Sequence, residues 1–133
     1  MIAITLILCD AAQAYEGKLS ILGGGWTRIK VQSPFAIGAI VDIPWDKSNT
    51  KLKTKLELLD EDGNAFAPDG ENPLVIFADL EVGRPIGQAP GSSQRVPLAF
   101  SFTPILNKVG RFTFQLTVED SIQTASFAVV SAI

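Results

Sequence analysis

The last third of the chain alternates apolar and polar residues in short runs, and that period constrains the fold more than any other feature. Val96 to Thr103 carries Leu98, Phe100 and Phe102 on one face. Arg111 to Val118 carries Phe112, Phe114, Leu116 and Val118, and Ile122 to Val130 carries Phe127 and Val129. Successive side chains of an extended backbone point to opposite sides, so each run is a strand with one apolar face. Glu119-Asp120-Ser121 is short enough to be a tight hairpin between the last two. The expected core is therefore Phe100, Phe102, Phe112, Phe114, Leu116 and Phe127.

The rest of the chain reads as further strands. Ile2 to Cys9 is nearly continuous in β-favouring apolar residues, as a strand covered on both faces would be. Asp10 to Gly17 carries alanines and ends in glycine, which favours a loop. Lys18 to Leu22 alternates and runs into Gly23-Gly24-Gly25. An ordered fold tolerates three glycines only where positive φ or close backbone approach is needed, and Trp26 follows as an apolar anchor. Thr27 to Val31 is strand-like. So is Phe35 to Ile43, where Gly38 predicts a bulge or a close neighbour. Pro44-Trp45-Asp46 ends that strand. Lys51 to Leu58 sets Leu52, Thr54, Leu56 and Leu58 against Lys51, Lys53, Lys55 and Glu57, a pattern for a sheet face open to water whose lysines also suit an edge strand. Leu74 to Glu81 is another strand. Asn107 to Gly110 is the kind of turn that precedes the F strand of immunoglobulin-like folds, with Gly110 as its structural glycine. About eight or nine short strands, no long helical pattern and one core predict a single antiparallel β-sandwich over residues 1–133, of immunoglobulin-like or jelly-roll topology.

Composition narrows the function. Only 19% of residues are charged and 47% are hydrophobic, against roughly 25% charged in an ordinary soluble domain. Part of the apolar surface is therefore expected to meet a protein partner, either by self-association or in a larger shell. A net charge of −3 argues against nucleic acid. No apolar run is long enough to span a bilayer as a helix, so no membrane partner is expected. Met1 to Ala14 lacks a basic start and its apolar run is short and interrupted by Thr5, so no signal peptide is expected, and synthesis is placed in the cytoplasm. Cys9 is the only cysteine and histidine is absent, which removes an internal disulfide and a cysteine-based zinc site.

No catalytic constellation is visible. There is no histidine to act as base, no Gly-x-Ser-x-Gly elbow, and no Lys-Ser or Lys-Thr pair after Gly23-Gly24-Gly25, so neither an enzyme nor a cofactor is expected. Asp60, Glu61, Asp62 and Asn64, with Asp69 and Glu71 downstream, offer oxygens of the kind calcium takes. Gly63 falls at the wrong place for the twelve-residue calcium loop, and a solvated hairpin without metal is the expected reading. Tyr15, Trp26 and Trp45 could form a sugar-stacking platform. Both indoles instead sit beside strand breaks, where they serve as anchors plugging the ends of a sandwich, and loss of Trp45 is expected to unfold the domain. The longest irregular stretch runs from Gly83 to Ser93. Its residues Gly83, Arg84, Pro85, Ile86, Gly87, Gln88, Ala89, Pro90 and Gly91 are the candidate partner-contact segment, because glycine and proline keep it out of a sheet and leave backbone groups free.

Asp10-Ala11-Ala12-Gln13, Gly17-Lys18-Leu19 and Ile21-Leu22-Gly23-Gly24-Gly25-Trp26 together resemble the opening signature of a small uncharacterised family of β-domains from bacteria and their phages. Pro44-Trp45, the turn from Leu58 to Gly63, and Gly110-Arg111-Phe112 are consistent with it, whereas Val109 stands where a proline is common. The resemblance brings no activity with it. It implies a phage setting, and with the composition it leads to the expectation of a non-enzymatic structural or interaction protein, a virion component such as a capsid decoration or accessory protein. The alternative is a carbohydrate-binding module.

Overall fold

The computed structural model describes residues 2–84, 86–87 and 89–131. In chain order its strands are β1 (Ala3–Cys9), β2 (Ala11–Tyr15), β3 (Lys18–Leu22), β4 (Arg28–Lys30), β5 (Phe35–Ile43), β6 (Leu52–Leu59), β7 (Val75–Leu80), β8 (Gln94–Phe102), β9 (Gly110–Val118) and β10 (Ser121–Val130). One turn of 3-10 helix, Trp45–Lys47, follows β5. The strands form a three-stranded sheet in the order β1-β5-β8 and a five-stranded sheet in the order β4-β10-β9-β6-β7. The hairpin β2-β3 makes a third, two-stranded sheet. All pairings are antiparallel except that of β4 with β10, which run parallel over three residues.

The core lies between the two larger sheets. Phe112, Phe114, Leu116 and Val118 of β9 and Leu52, Leu56 and Leu58 of β6 face Phe35, Ile37, Ala39, Val41 and Ile43 of β5, all of them buried. Phe114 is the centre of an aromatic cluster, with ring centroids 5.5 Å from Phe102 and 5.8 Å from both Phe35 and Phe127. Phe100 and Phe102 of the expected core are only partly buried, since β8 is the outer strand of its sheet.

The sequence reading needs three corrections. Residues 10–17 are not a loop: Ala11–Tyr15 is a strand, β2, paired with β3 through Ala11↔Leu22 to Tyr15↔Lys18. Glu16 and Gly17 both take positive φ, 51° and 71°, which is the two-residue turn that matches the twist of a hairpin. Alanine's weak strand preference conceals this strand. Second, β6 is not an edge, because it lies between β9 and β7; its lysines mark only the wet face of the sheet. Third, Trp45 is half-exposed and outside the hydrophobic cluster, so it does not plug the sandwich, whereas Trp26 does.

The hairpin explains why β5 is apolar on both faces. It lies over the outer side of β5 and β8, and a Cβ on Gly38 would sit 3.1 Å from both Leu19 and Ile21. Close approach of another layer is therefore what Gly38 serves. At the base of the hairpin the triple glycine turns the chain back across β1: Gly25 donates to the Leu8 carbonyl at 2.8 Å. Gly23 and Gly25 take φ of 62° and 92°, and a Cβ on Gly24 would come within 2.9 Å of Ile21. The bend delivers Trp26 to the end of the core, where it meets Phe127 at 5.9 Å and Phe35 at 6.2 Å edge to face.

Candidate interaction site

The segment between β7 and β8 has a fixed base and an exposed tip. Arg84 fixes the base. Its guanidinium lies 4.1 Å from the centroid of the Trp45 ring; Nε donates to Ser48 Oγ at 2.6 Å and Nη2 to the Trp45 carbonyl at 3.0 Å. Ser48 Oγ in turn donates to the Trp45 carbonyl at 2.6 Å. The Asn49 N–H donates to the Val82 carbonyl at 2.7 Å, and the Gln94 side-chain amide donates to the Gly83 carbonyl from the far side. A planar cation with a fork of donors suits this task, because it stacks on the indole and grips a hydroxyl and a carbonyl at once.

Beyond Arg84 the chain makes a turn of its own. Ser92 donates through both N–H and Oγ to the Ala89 carbonyl, and Gly87 and Gly91 take φ of 91° and 85°. Gly83, Arg84, Ile86, Gly87, Ala89, Pro90 and Gly91 are all exposed. The two other predicted contact residues, Pro85 and Gln88, lie outside the described residues. Ile86 is 106% exposed relative to a free reference residue, so a large aliphatic side chain stands entirely in solvent at the tip. The sequence predicted the irregular loop; it did not predict the pinned base, since Trp45 and Arg84 are far apart in the chain. An arginine next to a glycine-proline loop and a tryptophan at a strand end were the available signals.

The other candidates are dispersed. Trp26 packs on Phe35, the first residue of β5, and Trp45 follows Ile43, the last. At about 3.3 Å per residue the two ends of that strand lie roughly 26 Å apart, so the indoles sit at opposite ends of the sandwich. Tyr15 is 65% exposed on the outer hairpin, in a third place. The acidic residues divide between two turns that use their carboxylates internally. Asp60 Oδ1 accepts from the N–H groups of Asp62 and Asn64 at 3.0 and 2.9 Å. Asp69 Oδ1 accepts from those of Glu71 and Asn72 at 2.9 and 2.7 Å. The Asn72 and Glu71 N–H groups, helped by the Asn72 side chain, lower the Asp69 pKa to about 2. Among the described residues no three His, Cys, Asp or Glu side chains are grouped to hold a metal ion. No helix among them is long and apolar enough to cross a membrane. Gly110 opens β9, with Phe112 and Glu61 as the nearest neighbours of a Cβ placed there.

Two facing sheets, one of them capped by a hairpin, with connecting loops at the strand ends, define an immunoglobulin-like β-sandwich module. The chain belongs to DUF6941, a family of unknown function whose model matches residues 4–130. Among solved structures it is similar to the CARDB domain of a Pyrococcus furiosus protein, determined in complex with di-metal ions. That likeness has 12% identity and a TM-score of 0.51, and it covers 98% of this chain and 94% of the other. At that identity it shows the fold alone. No curated protein matches the sequence.

Proposed function

We propose that this domain is a non-enzymatic interaction protein that binds a protein partner through the tip of the loop between β7 and β8. The observation that carries the reading is Ile86, fully solvent-exposed on a segment whose base is clamped by Arg84, Trp45 and Ser48. An aliphatic side chain presented this way loses nothing by folding and gains on contact, since its apolar area is still available for burial. The clamp limits the entropy lost when the loop docks. The setting we propose is a phage virion, with the protein made in the cytoplasm and incorporated as a capsid decoration or accessory protein. The charge-poor composition and the resemblance to a family reaching into phages support that setting; the second is an argument by association.

The test is made on particles from a strain carrying the gene. The protein is expected in purified particles. Both Ile86→Asp and deletion of residues 87–92 are expected to abolish incorporation while leaving the thermal midpoint of the isolated domain within a few degrees. Particles that lack the protein, together with a specific glycan-array signal lost in folded Trp45→Ala, would make it a carbohydrate-binding module instead.

A further inference from the structure

The outer strands of the two main sheets differ in how they are closed to further pairing. In the three-stranded sheet β8 carries Pro97, which has no N–H to offer, and β2 of the hairpin lies across it. β1 lies against β10, and β4 is three residues long. Among the described residues β7 has none of these protections. Its sequence, Val75-Ile76-Phe77-Ala78-Asp79-Leu80, contains no proline and no lysine, and Phe77, Ala78 and Asp79 are exposed, Phe77 by 75%. An open, apolar edge of this kind is a template for another strand.

The ladder fixes which groups are open. The Glu119 N–H donates to the Lys53 carbonyl, so Lys53, Lys55 and Glu57 turn their main-chain groups to β9, and Thr54 and Leu56 turn theirs to β7. Leu56 pairs with Ile76 and Thr54 with Ala78. By alternation, Val75, Phe77 and Asp79 direct their N–H and C=O groups away from the sheet.

The geometry points to a second copy of this chain as the occupant, joined by antiparallel β7-to-β7 pairing about a two-fold axis at Phe77. In that register Phe77 faces Phe77 of the second copy, and Val75 faces Asp79. All three open residues of each copy then exchange both main-chain bonds; moving the axis to Ile76 or Ala78 leaves some of them unpaired. Charge also fits. Asp79 lies between its own Lys53, its cross-strand partner on β6, and the uncharged Val75 of the second copy, while Glu57 stays with Lys55 at 2.9 Å. No like charges meet across the seam, which is the usual obstacle to self-pairing of an edge. The two five-stranded sheets become one continuous sheet, and the exposed phenylalanine is covered by its equivalent. This surface is separate from the Ile86 loop and does not rest on the partner reading above.

Sedimentation of the full chain from roughly 1 μM to roughly 1 mM, the range for a small single-strand interface, is expected to show mass doubling. Phe77→Lys alone and Phe77→Glu alone are expected to remain monomeric, because the axis sets each charge against its own kind. An equimolar mixture of the two is expected to restore the doubled mass, and deletion of residues 87–92 to leave it unchanged. Circular dichroism on each variant checks that the fold persists. Phe77→Pro supplies an independent variant, since the N–H it removes faces outward and not β6; it too is expected to be monomeric. A monomer throughout the concentration range, or a dimer that survives all three substitutions, overturns the proposal. A mixture that stays monomeric overturns the two-fold register.

Discussion

The two main sheets share one core but differ in what lies behind them. The five-stranded sheet has water behind it, and β9 shows this in its alternation of Phe112, Phe114, Leu116 and Val118 with Arg111, Thr113, Gln115 and Thr117. The three-stranded sheet has the β2-β3 hairpin behind it, and β5 accordingly reads Phe-Ala-Ile-Gly-Ala-Ile-Val, buried at every position from Phe35 to Ala39. On the side facing the hairpin β5 is smallest at Gly38, where Leu19 and Ile21 come closest, and Ile40 follows on the same side beside Leu19. A continuous apolar strand thus signals a covered back, and a glycine in it marks where the cover comes closest.

The comparison can be broken at three places. The largest effect is expected at the shared core: Phe114→Ala, at a fully buried position between both sheets, should lower unfolding free energy by about 3–5 kcal/mol. A loss under about 1 kcal/mol in denaturant titration would show that the two sheets do not share that core. Next is a matched pair on the two outer sides. Gly38→Val forces β-branched atoms into Leu19 and Ile21 and should destabilise by about 1–3 kcal/mol. Thr117→Val, on the wet side of β9, should stay within about 0.5 kcal/mol. If the two substitutions behave alike, the hairpin is not a packed layer. Hydrogen exchange in Gly38→Val should then report faster exchange from β2 and β3 than from β9.

The smallest effect lies at the acid end. Asp69 is ionised and hydrogen-bonded in the folded chain, with its pKa lowered to about 2 from the ordinary carboxylate value. A depressed folded pKa means that its contribution is fully present above about pH 4 and is lost as pH falls through about 2. Because the group is exposed, the change should be slight. Asp69→Asn should flatten the stability profile between those limits, with a slight loss relative to wild type at pH 7 that disappears as pH falls below about 2. A wild-type profile that matches the variant throughout would remove the Asx turn from the account.

Most of the fold was legible because strand periodicity is local. β9, β10 and β6 could be drawn to within one residue at each end, and the triple glycine announced a forced bend. β2 was hidden because Ala11, Ala12 and Ala14 have weak strand preference; the Glu16-Gly17 pair between two alternating runs was the missed cue. Neighbour relations were not legible. Lys53 and Lys55 show that a face is wet, but whether β6 is central or outer depends on β7, many residues later. The loop at residues 83–93 was visible as an interruption. Its clamp joins Trp45 to Arg84 across 39 positions, and only the folded chain brings them together.

Cys9 gives the hairpin an internal reporter. The thiol is fully buried at the foot of the hairpin, with its Sγ donating to the Ala36 carbonyl at 3.5 Å and with Gly24 just above it. Burial raises its pKa above that of a free cysteine, so at neutral pH it is the protonated, unreactive form. Alkylation therefore requires the cover to lift. The rate at which a small electrophile modifies the chain, compared with the rate for an unfolded reference, reads out the opening equilibrium of that one layer directly. A protein with one cysteine and no disulfide thus carries its own clock for how often the outer layer leaves the sandwich.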